Sequence, residues 1–225
     1  GANTVKTVAA VKERVEALRD RLPKGWRIDY ARDQAEFVIT AIAAVMEHLV
    51  LGSLLAAGVV WMLLAWFLEK KPKFVGLLTG AVAGLATITP AAGFVSPTSA
   101  VIIGCSAGIV CYFAVSLKNK LQWDDALDVW GVHGVGGLIG IIMLGIFGTV
   151  TINAAGSNGL LHGGTEFFKV QLLAILISSI YAFGFTYGML WFINLFTPVR
   201  TTEKEEVEGL DSMLHGEDAY AMDGK

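Results

Sequence analysis

With 225 residues, 54% of them hydrophobic and only 16% charged, the chain is too apolar for an ordinary soluble domain. A net charge of −3 gives no footing for nucleic acid, and Cys105 and Cys111 have neither metal nor redox spacing, so both are expected to be free core thiols. Apolar stretches of about 20 residues recur, each enough to cross a hydrocarbon core of roughly 30 Å. The 26 glycines suit closely packed membrane helices. The chain begins at Gly1 with no signal peptide ahead of its body, and is expected to be a processed chain or, preferably, a fragment.

Residues 1–36 are soluble in character. Val5, Val8, Val11, Val15, Leu18 and Leu22 recur at three- and four-residue steps, predicting an amphipathic helix closed by Pro23 and Gly25. Trp26-Arg27-Ile28-Asp29-Tyr30 alternates and predicts one short strand, which would need partners the chain does not supply. The segment is therefore expected to be a small extramembrane α/β piece. Asp33 is a candidate N-cap with Glu36 as its capping-box partner, and a first span follows over 37–68. Glu47 and His48 near its outer end are expected to be a solvated interfacial pair.

Four more spans are expected within 69–199. The basic Glu69–Lys73 loop leads into about 44 uncharged residues, Phe74 to Leu117, broken by the prolines and glycine of Thr87–Thr98 into a second and a third span. Gly76, Gly80 and Gly84, and again Gly104 and Gly108, lie four apart and predict smooth faces for close helix packing. Lys118 and Lys120 end the third span. Asp124 and Asp125 are placed to cap the fourth, where the helix dipole favours carboxylates. Asp128, one turn further in, could cap or could order the start of the helix that follows. The Gly- and Asn-rich stretch Thr149–Gly164, with His162 expected to be solvated, precedes a fifth span from about Phe168 to Phe196. Residues 200–225 form an acidic tail.

The loops set an orientation. The Lys70/Lys71/Lys73 loop, the Lys118/Lys120 loop and the tail fall on one side, so the positive-inside rule expects a cytoplasmic C-terminus and an outer N-terminal segment. The eight Lys/Arg of residues 1–36 oppose this, but domains that fold as units translocate largely regardless of charge.

The residue that stands apart is His133, within Asp128-Val129-Trp130-Gly131-Val132-His133-Gly134-Val135-Gly136-Gly137. An ionisable group inside a span is costly and marks a pathway by default, and its glycine neighbours permit close approach. The competing reading is a buried histidine bonded to a neighbouring helix.

These residues carry a resemblance. From about residue 57 the chain resembles the C-terminal five-span portion of the ammonium transporter/methylammonium permease/Rh family, in Gly80–Leu85, Thr89–Val95, Asp124–Val135, Glu208–Asp211 and His215–Tyr220. Residues 1 to about 56 resemble a segment of a resistance–nodulation–division efflux pump, in Gly1–Val5, Val11–Val15, Leu22–Gly25, Tyr30–Gln34 and Gly52–Ala56, which implies a chimera or fragment. The first resemblance implies an all-α membrane protein, a bundle of five transmembrane helices forming a partial ammonium transporter fold. It implies a transporter and not an enzyme, without cofactor or metal, in the cell (inner) membrane. Its partners would be ammonium or ammonia, the lipid bilayer, copies of itself in a homotrimer, and a PII-type regulator at a tail including Gly209, Leu210, Asp211, His215, Gly216 and Tyr220. His133 would line a narrow apolar pore, with Val129 and Thr89 as secondary lining residues. A neutral imidazole there can accept a proton or hydrogen bond from an ion that has shed its water. The family's partner histidine lies in spans this chain lacks, and His48, His162 and His215 are wrongly placed to substitute. Two alternatives follow: a non-conducting remnant that only packs and docks the regulator, or an efflux-pump fragment.

Overall fold

The computed structural model describes residues 4–19, 21–23, 25–28, 35, 39, 43 and 55–217. Among these, all regular structure is helical: α1 (Thr4–Arg19), α2 (Gly58–Glu69), α3 (Phe74–Ile88), α4 (Pro97–Lys120), a π-helix (Trp130–Val135), α5 (Gly136–Phe147), α6 (Thr165–Asn194) and α7 (Glu203–Glu208). A short 3-10 turn (Leu160–His162) precedes α6, and a second π-helix (Asp211–His215) follows α7. The chain forms two compact units, residues 1–175 and 176–225.

Among the described residues of the expected N-terminal strand, none is in a strand. Trp26, Arg27 and Ile28 have no regular structure, and Asp29 and Tyr30 lie outside the described residues. An extended segment with no neighbouring strand has nothing to satisfy its backbone groups, so the alternation of side chains alone does not make a strand. The Asp33/Glu36 cap, the Glu47/His48 pair and most of the first expected span also lie outside the described residues.

Three helical stretches, Pro97–Lys120, Trp130–Phe147 and Thr165–Asn194, are long and apolar enough to cross a bilayer. Leu55–Glu69 and Phe74–Ile88 are shorter apolar helices. With 15 residues, α3 spans about 22 Å at a rise of about 1.5 Å per residue, short of a hydrocarbon core. It stops at Pro90, which has no N–H to continue the helical ladder, and turns run on through Phe94. The longest of the packed helices is then started by sequence features: Pro97 occupies the first helical position and Ser96 Oγ accepts from the Ser99 N–H at 3.2 Å.

Two clusters hold the first unit together. Trp61 and Ala65 of α2, Ala83 of α3, Cys111, Tyr112 and Val115 of α4 and Val132 of the π-helix form one. Trp61 meets Tyr112 edge-on at 5.5 Å, and the Tyr112 hydroxyl donates to Glu69 at 3.0 Å. Ile88, Ala91, Val95, Ala100 and Ile103 form the other, with Met143, Leu144 and Phe147 of α5 against it. The predicted small-residue faces are buried at Gly80 and Gly84 on α3 and at Gly104 and Gly108 on α4. At Gly80 an added Cβ would lie 2.9 Å from the Ala57 carbonyl oxygen, which is the close backbone approach that such faces permit. No residue of α6 is buried.

Candidate functional site

The site is built by the nine residues between α4 and the π-helix, 121–129. Gln122 and Asp128 take left-handed backbone, at φ 55° and 56°, so the chain reverses twice and returns against the helix it has just left. The Asp125 carboxylate accepts from the N–H groups of Val129 and Trp130, both at 2.9 Å. Those N–H groups hold the Asp125 carboxyl below the usual aspartate range, the Trp130 bond first, with the positive charge of Lys118 adding to it. Trp123 meets Trp130 edge-on with ring centres 5.0 Å apart, closing the loop from its other end.

Asp128 makes a different contact. Its carboxylate pairs with Lys118 Nζ at 2.6 Å, and the same ammonium donates to the Asp125 carbonyl at 2.7 Å. Lys118 is buried although it sits in the last turn of α4. A buried ammonium must be paired and hydrogen-bonded to be tolerated, and both conditions are met.

From this base the chain winds into the π-helix that carries His133. Gly131 and Val132 face inward and are buried, whereas His133 and Gly134 are exposed. An added Cβ at Gly131 would lie 2.6 Å from Val115 Cγ2, so only glycine lets the turn seat on α4. One wide turn then passes directly into α5, whose Gly136 and Gly140 straddle Thr87 of α3. π-turns within helices recur at functional sites because they re-aim a side chain without breaking the helix.

Of the residues singled out in the sequence, the structure gathers Asp125, Asp128 and Val129 around the foot of the His133 turn. Asp124 lies in the same loop, and Val129 is half exposed. Thr89 is not part of that cluster: it caps the end of α3, its hydroxyl donating to the Leu85 carbonyl at 2.6 Å. His162 is exposed in its 3-10 turn. In the tail, Gly209 and Gly216 have positive φ, Leu210 and His215 are exposed, Asp211 opens the second π-helix, and Tyr220 lies outside the described residues. Lys118 escaped the sequence reading, since a lysine closing an apolar run looks like a solvated end. Its only signal was a carboxylate ten residues later. A cavity of about 250 Å³ lined by Phe94, Leu144, Phe167 and Gln171, among others, contains none of the predicted site residues. Among the described residues no group of three or more His, Cys, Asp or Glu could hold a metal ion.

Apolar helices of spanning length, knitted by glycine contacts and interrupted at one histidine, define a polytopic membrane protein. The profile of the Ammonium Transporter Family matches residues 33–220, and the chain belongs to that family. The match begins upstream of the junction expected near residue 57. The chain is 46% identical over 167 residues to an ammonium transporter of Bacillus subtilis, covering 73% of this chain and 41% of that protein. Against ammonium transporter Amt1 of Archaeoglobus fulgidus it is 42% identical over 164 residues, covering 73% and 41%. The crystal structure of Saccharomyces cerevisiae Mep2 superposes with a TM-score of 0.68 at 33% identity, over 73% of this chain and 38% of that one. The chain thus spans about two fifths of the length of the relatives it matches.

Proposed function

We propose that this chain supplies one wall of a transmembrane pathway for ammonium or ammonia, with His133 as its proton- and hydrogen-bond-accepting element. The observation that carries this reading is the exposure of His133 at a π-turn whose inward residues, Gly131 and Val132, are anchored on α4. A buried, structural histidine would not be presented in this way. Val129, half exposed at the foot of the turn, and the exposed Thr89 are proposed to line the same pathway. A conducting path needs a closed protein lining. Accordingly, protein beyond these 225 residues is proposed to complete the wall, in an inner-membrane homotrimer with a cytoplasmic C-terminus, an outer N-terminal segment and a tail that meets a PII-type regulator. The pump-like character of the first residues is proposed to reflect a graft.

The test joins the chain to a six-span N-terminal portion of ammonium transporter type and measures methylammonium uptake in cells. Uptake is expected, with rate or selectivity altered by His133→Ala. Uptake of unchanged rate and selectivity in that variant would overturn the assignment of His133. A second reading, a non-conducting partner-docking piece, draws on the exposed Leu210, Met213 and Leu214 of the tail. It is favoured if the joined protein is silent while the tail retains a PII-type protein in a pull-down.

A further inference from the structure

We propose that Lys118 is a positioning residue for His133: through Asp128 it sets the register of the π-turn and so decides which surface the imidazole faces. This rests on the reading of His133 as the pathway residue. Lys118 reaches the turn from a different element, the last turn of α4, and does so at two points of the 121–129 loop. Its ammonium holds the Asp128 carboxylate at 2.6 Å and the Asp125 carbonyl at 2.7 Å. Each of these two residues is in turn fastened, through its other oxygen-bearing group, to the backbone of the His133 turn. The Asp128 carbonyl accepts from the Val132 N–H at 2.9 Å, and the Asp125 carboxylate accepts from Val129 and Trp130. One cation therefore ties together the two residues, Asp125 and Asp128, that hold the backbone at the foot of the His133 turn.

Asp128 is a non-glycine residue held at φ 56°, a backbone state costly for an L-residue unless its surroundings impose it. The Lys118 ion pair is the contact that imposes it. One turn earlier on α4, Val115 receives Gly131. That apolar contact fixes how closely the turn sits but not how far it is wound, because a glycine surface has no side chain to lock. The ion pair supplies the rotational stop. Without it, relaxation of Asp128 to ordinary backbone rewinds the turn, and a shift of one residue in register swings His133 by about 100° around the helix axis. A buried pair is weak evidence of net stability, and setting register is the best-attested use of such pairs.

The experiment uses the full 225-residue chain in proteoliposomes, with Cys105→Ser and Cys111→Ala removing the native thiols and His133→Cys supplying a reporter. A membrane-impermeant and a lipid-soluble maleimide are applied in parallel. Lys118→Met is expected to change the ratio of the two labelling rates at position 133 by about fivefold or more, the size of effect a directly coupled pair produces. Lys118→Arg is expected to restore the parent ratio. Asp128→Asn should reproduce the effect of Lys118→Met, and the double variant should add nothing further. Helical content measured by circular dichroism should stay unchanged throughout. An unaltered ratio in both single variants would overturn the proposal. So would loss of helical content in both, since the pair would then hold the bundle and not the turn. The pathway reading is judged separately, by whether the parent reacts with the impermeant reagent at all, so the two can fail independently.

Discussion

Gly140 of α5 rests on the backbone of Thr87 in α3: a Cβ there would overlap the Thr87 carbonyl oxygen and lie 2.9 Å from Pro90 Cγ. Four residues earlier, Gly136 stands 2.9 Å, measured from its missing Cβ, from the Thr87 hydroxyl. The two glycines saddle one threonine, and this crossing fixes how α5, and the His133 turn ahead of it, lies on α3.

Gly140→Ala is therefore expected to destabilise the bundle by about 1–3 kcal/mol, the range for forced overpacking. The neighbour it meets is backbone, which cannot turn aside. Gly137→Ala, one turn position away with open space at its Cβ, should be close to neutral. Thermal unfolding in detergent compares the two, and equal midpoints would contradict the crossing geometry.

The loop that carries Asp125 should be sensitive to acid. Its carboxyl is held below the usual aspartate range by the Trp130 and Val129 N–H groups and by Lys118. A group whose pKa is depressed on folding stabilises the folded form above its unfolded pKa, and that contribution is lost as pH falls through the folded value. Protection of the Val129 and Trp130 amides against hydrogen exchange, referenced to the intrinsic rate at each pH, is thus expected to decline below about pH 4. Asp125→Asn should lower protection at neutral pH and remove most of its pH dependence. An unchanged pH profile in that variant would refute the assignment.

The tail offers a local test. Thr202 and Glu205 form a reciprocal capping box at the start of α7: Glu205 Oε2 accepts from the Thr202 N–H at 2.7 Å, and Thr202 Oγ1 accepts from the Glu205 N–H at 3.4 Å. The Thr202 N–H first, and then the Thr202 hydroxyl, which donates to Glu205 Oε2 at 2.8 Å, hold the Glu205 carboxyl below the usual glutamate range. Thr202→Ala is expected to cost α7 about 1 kcal/mol, seen as loss of helical chemical shifts over Glu203–Glu208. Thr202→Ser should keep them. The box weakens on acidification, because a protonated Glu205 is a poorer acceptor.

Much of this was legible in the chain itself. Uncharged runs marked where α4 and α6 would lie, the prolines and glycine of Thr87–Thr98 marked the break before α4, and glycines four apart marked where helices meet. Trp26–Ile28 misled, because alternation signals a strand only when a partner exists to complete it. What the chain did not show at α4 was that Ser96 and Pro97 together start it, because a proline in a turn-rich stretch reads equally as part of the turn.

Sequence alone determined that this is a membrane-spanning, glycine-packed helical chain with one histidine out of keeping with its surroundings, because hydropathy and residue size are properties of the residues themselves. Only the tertiary structure decided that Lys118 turns inward to Asp128, that Asp125 caps the turn, and that Trp130–Val135 winds as a π-helix leaving His133 exposed. These outcomes depend on two left-handed residues folding a loop back onto its own helix, and register and pairing across such a fold are set by contacts between distant residues, which composition and periodicity do not encode.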